Sequence, residues 1–171
     1  MLCMFSSRLS SFVVVLAATA VLAADRAGAN DVRVARLDCP QGTTQRVRGI
    51  SYDESTFCVR VAVAKGGEPQ LHGPYVDFYP NGQKQSEGQY LDGYRVGRWT
   101  FWNANGSKSG STDFSGGNYH GEKVQYFPNG TPRSIEQYAN GKRHGLVQEF
   151  SEDGKMIRKI QYVDDKQVAV K

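Results

Sequence analysis

The chain has 171 residues, which is room for a single domain with or without a processed leader. It has 21 Lys and Arg residues against 17 Asp and Glu, a formal net charge of +4. The cations are spread along the chain, which argues against a nucleic-acid-binding surface. Glycine (19 residues) and aromatic residues (9 Tyr, 8 Phe, 2 Trp) are both abundant, as in turn-rich β proteins.

The N-terminal segment has the pattern of a secretory signal peptide. Arg8 is the one charged side chain before Phe12–Ala23, an apolar run of twelve residues. That run is too short for an ordinary transmembrane helix, which needs ~20 apolar residues. The small residues that follow predict a leader over residues 1–29, cleaved after Ala29 or, as an alternative, after Ala23. We therefore expect a soluble mature protein exported to the periplasm or outside the cell.

Residues 30–71 are predicted to form an N-terminal cap. Cys39 and Cys58 remain after removal of the leader, an even number in a compartment where disulfides persist, so we expect them to be bonded. A metal site would need more ligands nearby, and a catalytic thiol would need a histidine partner that no sequence pattern suggests. The alternation of apolar residues over residues 57–64 predicts one half-buried strand.

Residues 72–166 contain four copies of a 24-residue unit. Three glycine positions recur at this spacing, with Asp165 in place of the last glycine of the third series. The series are Gly73, Gly97, Gly121, Gly145; Gly82, Gly106, Gly130, Gly154; and Gly93, Gly117, Gly141. Two aromatic series keep the same period: Phe78, Trp102, Tyr126, Phe150; and Tyr90, Phe114, Tyr138, Tyr162. A period of this length indicates a repeat architecture.

The residues of each unit specify two turns. The first carries Asn-Gly or Asp-Gly, as in Asn81-Gly82, and is predicted to have positive φ at both positions. The second, as in Asp92-Gly93, joins one hairpin to the next. The predicted fold is all-β, an elongated antiparallel meander of about eight strands plus the cap, with residues 167–171 as a tail that frays or adds a short edge strand. The first glycine of each unit is expected to lie close beneath a neighbouring aromatic ring.

The segments His72–Gly93 and His120–Arg143 resemble the MORN repeat in its bacterial variant. The second copy departs from the pattern, and the fourth is interpreted as the most degenerate. The cysteine pair ahead of the repeats also resembles exported members of that family. The resemblance implies a single-layer β-sheet used for protein contacts. Some members were proposed to bind phospholipid headgroups, and many bacterial members carry an antitoxin label, which implies neutralisation of a protein partner.

The sequence offers little support for catalysis or metal binding. His72, His120 and His144 share one repeat position, but strands ~4.8 Å apart would separate neighbouring copies by roughly 10 Å, too far to share an ion. Carboxylate pairs such as Asp164-Asp165 fall at turns, where they serve backbone geometry. We therefore predict a protein that is not an enzyme and has no cofactor, no metal and no small-molecule substrate.

Two interpretations of the aromatic series remain open: a minimal core for the single-layer sheet, or an exposed binding stripe with Trp99 and Trp102 as leading candidates. The predicted binding surface consists of Tyr75, Trp99, Trp102, Tyr126, Arg95, Arg98 and Arg143. The first functional hypothesis is a protein-interaction or scaffold module with an unidentified protein partner. The alternatives are peripheral binding to anionic phospholipid and an immunity-type protein that neutralises a toxin.

Overall fold

The computed structural model describes residues 35–49, 54–60 and 68–169. The predicted leader, residues 1–29, lies outside the described residues. Within the described ranges every regular element is a β-strand, and no helix there has the length and apolarity needed to cross a bilayer.

The strands form one antiparallel sheet in which each pairs with the next along the chain. They are β1 Thr43–Arg48, β2 Ser55–Arg60, β3 Gln70–Phe78, β4 Lys84–Leu91, β5 Tyr94–Trp102, β6 Lys108–Ser115, β7 Asn118–Tyr126, β8 Pro132–Ala139, β9 Lys142–Phe150, β10 Met156–Val163 and β11 Lys166–Val168. The predicted all-β meander is confirmed. Strands β3 to β10 are the eight expected strands, two per 24-residue unit, and β11 is the short edge strand allowed for the tail.

The turn inside each hairpin differs from the prediction. At Asn81-Gly82 only the glycine has a positive φ, +77°. The Gly82 N–H donates to the Tyr79 carbonyl (2.8 Å), and the pairing shifts register next to the turn, so the loop fits a type I turn followed by a bulge. Pro80 suits the second position of such a turn. The Asn81 Oδ1 accepts from the Gln83 N–H (3.0 Å) and stabilises this geometry over the expected one.

The same asparagine also connects neighbouring hairpins. The Asn81 side-chain amide donates to the Ala104 carbonyl (2.6 Å), and that of Asn129 donates to the Glu152 carbonyl (2.9 Å). Both acceptors belong to the turn of the following hairpin, 23 residues further along the chain. These two asparagines therefore hold successive turns side by side, a role that their hairpin propensity alone does not reveal.

The turns between hairpins follow the prediction. Asp92 and Gly93 both have positive φ (49° and 85°), as do Gly116 and Gly117 (55° and 83°). In the last of these turns, Asp164 and Asp165 have positive φ (48° and 65°), and Asp165 takes the place of the glycine found in the earlier repeats. Asp tolerates this region better than most residues because its short side chain can hydrogen-bond locally. Loss of the final glycine has therefore not abolished the turn.

The cap buries both faces of β2, whereas the sequence predicted a half-buried strand. Thr56, Phe57, Cys58 and Val59 are all buried. The Cys39–Cys58 disulfide is present, with the two Cα atoms 5.6 Å apart, and it holds the segment before β1 against this strand. The segment before β1 thus covers those side chains of β2 that would otherwise face solvent. The remainder of the predicted strand, residues 61–64, lies outside the described residues.

The first glycines of the units do not lie beneath aromatic rings as predicted. A Cβ on Gly73 would meet Pro40 Cδ at 2.6 Å, one on Gly121 would meet the Asp113 carboxylate, and one on Gly97 would meet nothing within 4 Å. The glycines that approach a ring are Gly88, whose added Cβ would lie 2.6 Å from Trp99 Cγ, and the turn residue Gly117, whose added Cβ would lie 3.2 Å from Tyr94 Cδ1. Within a strand of the repeats, close approach to a ring is thus made by Gly88 and not by the first glycine of a unit.

Gly73→Ala is expected to destabilise the protein more than Gly97→Ala. Both glycines have positive φ (106° and 63°), which an alanine tolerates poorly, but only at Gly73 would the new Cβ also collide with Pro40. We expect Gly97→Ala to cost about 1 kcal/mol and Gly73→Ala about 2 kcal/mol more, from the overpacking. Urea unfolding of the two variants measures the difference, and equal losses would contradict the contact between cap and sheet.

Candidate interaction surfaces

One face of the sheet carries a continuous series of aromatic contacts, which we call the ring ladder. Its members are Phe57, Tyr75, Tyr90, Trp99, Phe101, Phe114, Tyr119 and Tyr138. Centroids of contacting rings lie between 5.1 and 6.4 Å apart, and most pairs are edge-on or tilted. Such pairs contribute more than their buried area alone. The ladder crosses strands β2 to β8 and is the nearest equivalent of a core that this face has.

Trp99 lies at the centre of the ladder and is 0% exposed. It contacts Tyr75, Tyr90, Phe101 and Phe114, and its indole N–H donates to the Gln89 carbonyl (3.2 Å). A side chain with no exposed surface cannot contact a partner. The prediction of Trp99 as a binding residue is therefore wrong, and for this ring the core interpretation holds.

Cations alternate with the rings of the ladder. The Arg95 guanidinium lies 4.4 Å from the Trp99 ring centroid and 5.6 Å from that of Phe114. The Lys123 ammonium lies 5.3 Å from the centroid of Tyr119. Arg143 repeats the arrangement at 4.3 Å from Tyr162. Two of the predicted basic residues, Arg95 and Arg143, are thus engaged with ring faces in cation–π contacts.

Two tyrosines of the ladder, Tyr75 and Tyr138, have a raised pKa. Burial raises the pKa of Tyr75 above its ordinary value. The pKa of Tyr138 is raised as well, first by burial and then by the hydrogen bond that its hydroxyl donates to Glu136 Oε2 (2.8 Å). These groups are therefore hydrogen-bond donors at any physiological pH and not proton-transfer groups.

The opposite face carries a second aromatic series at the ends of β3, β5, β7 and β9, which we call the hairpin row. Its members are Phe78, Trp102, Tyr126 and Phe150, all half-buried. Trp102 lies three residues after Trp99 on β5, so the alternation of strand side chains places it on the other face. Lys84 Nζ lies 5.0 Å from the Trp102 centroid, and Lys108 Nζ lies 5.1 Å from that of Tyr126.

The structure therefore divides the predicted binding residues between two faces. Tyr75, Trp99, Arg95 and Arg143 belong to the ladder face, whereas Trp102, Tyr126 and Arg98 belong to the opposite face. Lys84 and Lys108 were not among the predicted residues, although they are separated by the same 24-residue period as the rings.

Arg98 forms the most developed ion-pair cluster on the opposite face. Its guanidinium donates to both carboxylate oxygens of Asp113 (2.8 and 3.0 Å) and lies 3.5 Å from Glu122 Oε1. The Glu122 N–H also donates to Asp113 (3.2 Å). The hydrogen bond from Arg98 lowers the pKa of Asp113 below its ordinary value. The cluster links β5, β6 and β7.

Asp113→Asn is expected to lower the free energy of unfolding by about 1 kcal/mol at pH 7. Because folding lowers the carboxyl pKa, the ionised form stabilises the protein above the unfolded-state pKa of ~3.9, and this contribution is lost as the pH falls through the folded-state value. The difference in the free energy of unfolding between wild type and Asp113→Asn, measured by urea unfolding, should therefore narrow as the pH is lowered from 5 to 3. Glu152→Gln, at an exposed turn, is the control, and a gap that stays constant with pH would contradict the charge-based origin.

The three histidines are attached to turns. His72 Nδ1 lies 3.1 Å from Asp92 Oδ1, and His144 Nδ1 lies 3.2 Å from Asp164 Oδ1. His120 Nδ1 accepts from the Asn140 N–H at 3.4 Å. Each histidine thus contacts the residue that begins the turn 20 positions later. Within the described ranges no group of three or more His, Cys, Asp or Glu side chains is arranged to hold a metal ion.

A meander of near-identical hairpins with repeated contacts at 24-residue spacing defines a β-hairpin repeat protein. Three of its hairpins match a known family: residues 71–92, 119–140 and 143–164 match the model of the MORN repeat variant. These segments coincide with β3–β4, β7–β8 and β9–β10. The fourth copy is matched and the second is not, so the interpretation of the fourth as the most degenerate is wrong. No curated protein matches the chain.

Proposed function

We propose that this chain is a non-enzymatic interaction module that binds a partner protein through the hairpin row. The observation that supports the proposal is a pair of half-buried rings, 24 residues apart, each with a lysine over its face: Lys84 over Trp102 and Lys108 over Tyr126. Trp and Tyr are the residues that most often dominate binding energy at protein interfaces.

The spacing of the hairpin row suits an extended partner. Successive members lie on alternate strands, so they are separated by roughly 10 Å, twice the distance between neighbouring strands. Rings at a constant interval can engage a run of side chains along one partner surface. Proteins built from stacked repeats characteristically use extended binding surfaces of this kind.

The test compares two pairs of substitutions of similar size. Immobilised wild-type protein is incubated with cell-envelope extract, and retained proteins are identified by mass spectrometry. Trp102→Ser with Tyr126→Ser should remove the retained partner, whereas Leu91→Ser with Tyr94→Ser should not. The control pair is more exposed than the hairpin row (50% and 61%) but lies at the opposite ends of its strands. Equal retention by both double variants would contradict the proposal.

A second candidate function is binding to an anionic membrane surface. It is favoured by the cations that accompany rings on both faces, Arg95 and Arg143 on one and Lys84 and Lys108 on the other. Sedimentation with vesicles of phosphatidylglycerol and of phosphatidylcholine separates the two functions. Binding restricted to the anionic vesicles, and lost in high salt, supports the lipid function. If the protein binds neither kind of vesicle, the lipid function is rejected and binding to a partner protein remains the proposed function.

We further propose that the chain is exported with loss of a leader that is cleaved after Ala29 or after Ala23, and that a toxin to be neutralised is one partner of the proposed class. N-terminal sequencing of protein recovered from the envelope tests the first point, with Asn30 or Ala24 as the expected first residue. Co-expression with the captured partner tests the second, because an immunity-type protein should relieve growth inhibition by that partner.

A further inference from the structure

A trough of ≈ 580 Å3 opens on the ladder face between β5 and β8. Its walls carry the rings of Phe101, Phe114 and Tyr119 and the cations Arg95, Lys123 and Arg133. Among the described residues that line it there is no Asp or Glu. Glu136 lies opposite Lys123 in the register, but its carboxylate accepts from the Tyr138 hydroxyl, and Glu136 is not part of the lining. The trough thus joins ring surfaces with positive charge.

The repeat explains why a hollow exists here. In the preceding repeat Trp99 fills the space above Gly88, against Tyr90 and Phe101. Adding 24 to these four positions gives residues that all line the trough: Lys123, Thr112, Phe114 and Gln125. The indole and one of the rings around it are therefore replaced by a lysine and a glutamine. Thr112 also adds a side chain where the preceding repeat has Gly88, so the space is not that of a buried indole but an open trough that contains an ammonium group.

We propose that this trough binds a planar aromatic group that carries a carboxylate or similar anion. The ring packs on Phe114 and Tyr119, whose side chains line the trough. The anion pairs with Lys123 and with Arg133, which is exposed at the mouth. Arg95 is held over Trp99 and Phe114 and adds positive potential on the β5 side. The volume lies within the usual range of small-ligand sites.

The trough adjoins the proposed partner contact at one residue, because Tyr126 of the hairpin row is also part of its lining. Lys123 and Arg133 line the trough and do not belong to the hairpin row, so variants at these two positions test the trough separately. The proposal departs from the sequence-based prediction, which was that the protein has no small-molecule substrate. The same chemistry could be supplied by a free aromatic acid or by an aromatic side chain next to a carboxylate in a peptide, so both sources belong in the test.

The experiment is a titration of the full chain followed by amide NMR shifts, with indole-3-acetate, indole-3-ethanol and acetate as probes. We expect saturable shifts at the trough with indole-3-acetate and at least tenfold weaker binding of the neutral alcohol, since charge-assisted contacts are lost. Acetate alone should bind weakly. Acetate binding as strong as that of the aromatic acid, or shifts elsewhere on the sheet, would overturn the proposal. If a short Asp-Trp-Glu peptide competes with indole-3-acetate, the natural ligand is a peptide segment of a partner. If the peptide does not compete, the natural ligand is a free aromatic acid.

Two variants make the result specific. Thr112→Gly with Lys123→Trp transplants the Gly88 and Trp99 pair into the trough and should abolish binding. Arg133→Gln should weaken binding about tenfold, and Arg46→Gln, an exposed cation on β1, should not. If the Thr112→Gly, Lys123→Trp variant does not fold, the comparison of Arg133→Gln with Arg46→Gln tests the proposal. Equal affinity for wild type and Arg133→Gln contradicts the assignment of the anion, and binding unchanged in a folded transplant contradicts the site.

Discussion

Gly88→Ala is expected to lower the free energy of unfolding by about 3 kcal/mol, although the substitution adds a single methyl group. The φ of Gly88 is not in the left-handed region, so the cost arises from contact and not from backbone strain. The new Cβ would lie 2.6 Å from Trp99 Cγ and closer still to two other ring atoms. Trp99 is enclosed by four other rings of the ladder and has no open space into which it can move.

Urea unfolding of Gly88→Ala measures this effect, with Ser86→Ala, a buried position on the same strand, as the control. A second comparison identifies the cause. In a Trp99→Leu background, which is itself destabilised by the smaller side chain, Gly88→Ala should cost much less because the colliding ring atoms are gone. If Gly88→Ala costs the same in both backgrounds, steric contact with Trp99 is not the reason.

Replacing both Cys39 and Cys58 by serine is expected to cost about 3 kcal/mol, the amount that chain-entropy arguments assign to a loop of this length. The sequence separation of the two cysteines is 19 residues. Cys58 is 1% exposed and is adjacent to the contact between Pro40 and Gly73, so the lost bond should loosen the cap before the repeats. Hydrogen exchange should therefore rise first at β1 and β2.

Thiol reduction provides the matched control for the disulfide. In reducing buffer the wild type should lose stability until it lies within about 1 kcal/mol of the double serine variant, since the remaining difference is that between a buried thiol and a buried hydroxyl. The repeat strands β7 to β10 should keep their protection in both proteins. A wild type whose stability does not respond to reduction would show that the bond contributes nothing to the fold.

The candidate surfaces were predictable in part. The period located Trp102 and Tyr126, and both lie in the hairpin row. The same period could not show that Trp99 is buried, because its burial depends on the absence of a side chain at Gly88 on the neighbouring strand. Neither could it reveal the trough, which arises where Lys123 and Gln125 replace a tryptophan and a phenylalanine of the preceding repeat. Both features are relations between strands that are adjacent in space.

By itself the sequence determined the meander of hairpins, the position of each turn and the disulfide, because these depend on local turn chemistry and on a strict 24-residue period. Only the tertiary structure decided which residues share a face and which are enclosed. Bulges next to the turns shift the register, and the segment before β1 covers β2, so the exposure of a ring cannot be read from its place in the repeat. The same holds for Asn81, which was predicted as a turn residue and also links two hairpins. This link could not be predicted, because its partner Ala104 is 23 residues away along the chain and is adjacent only in the folded sheet.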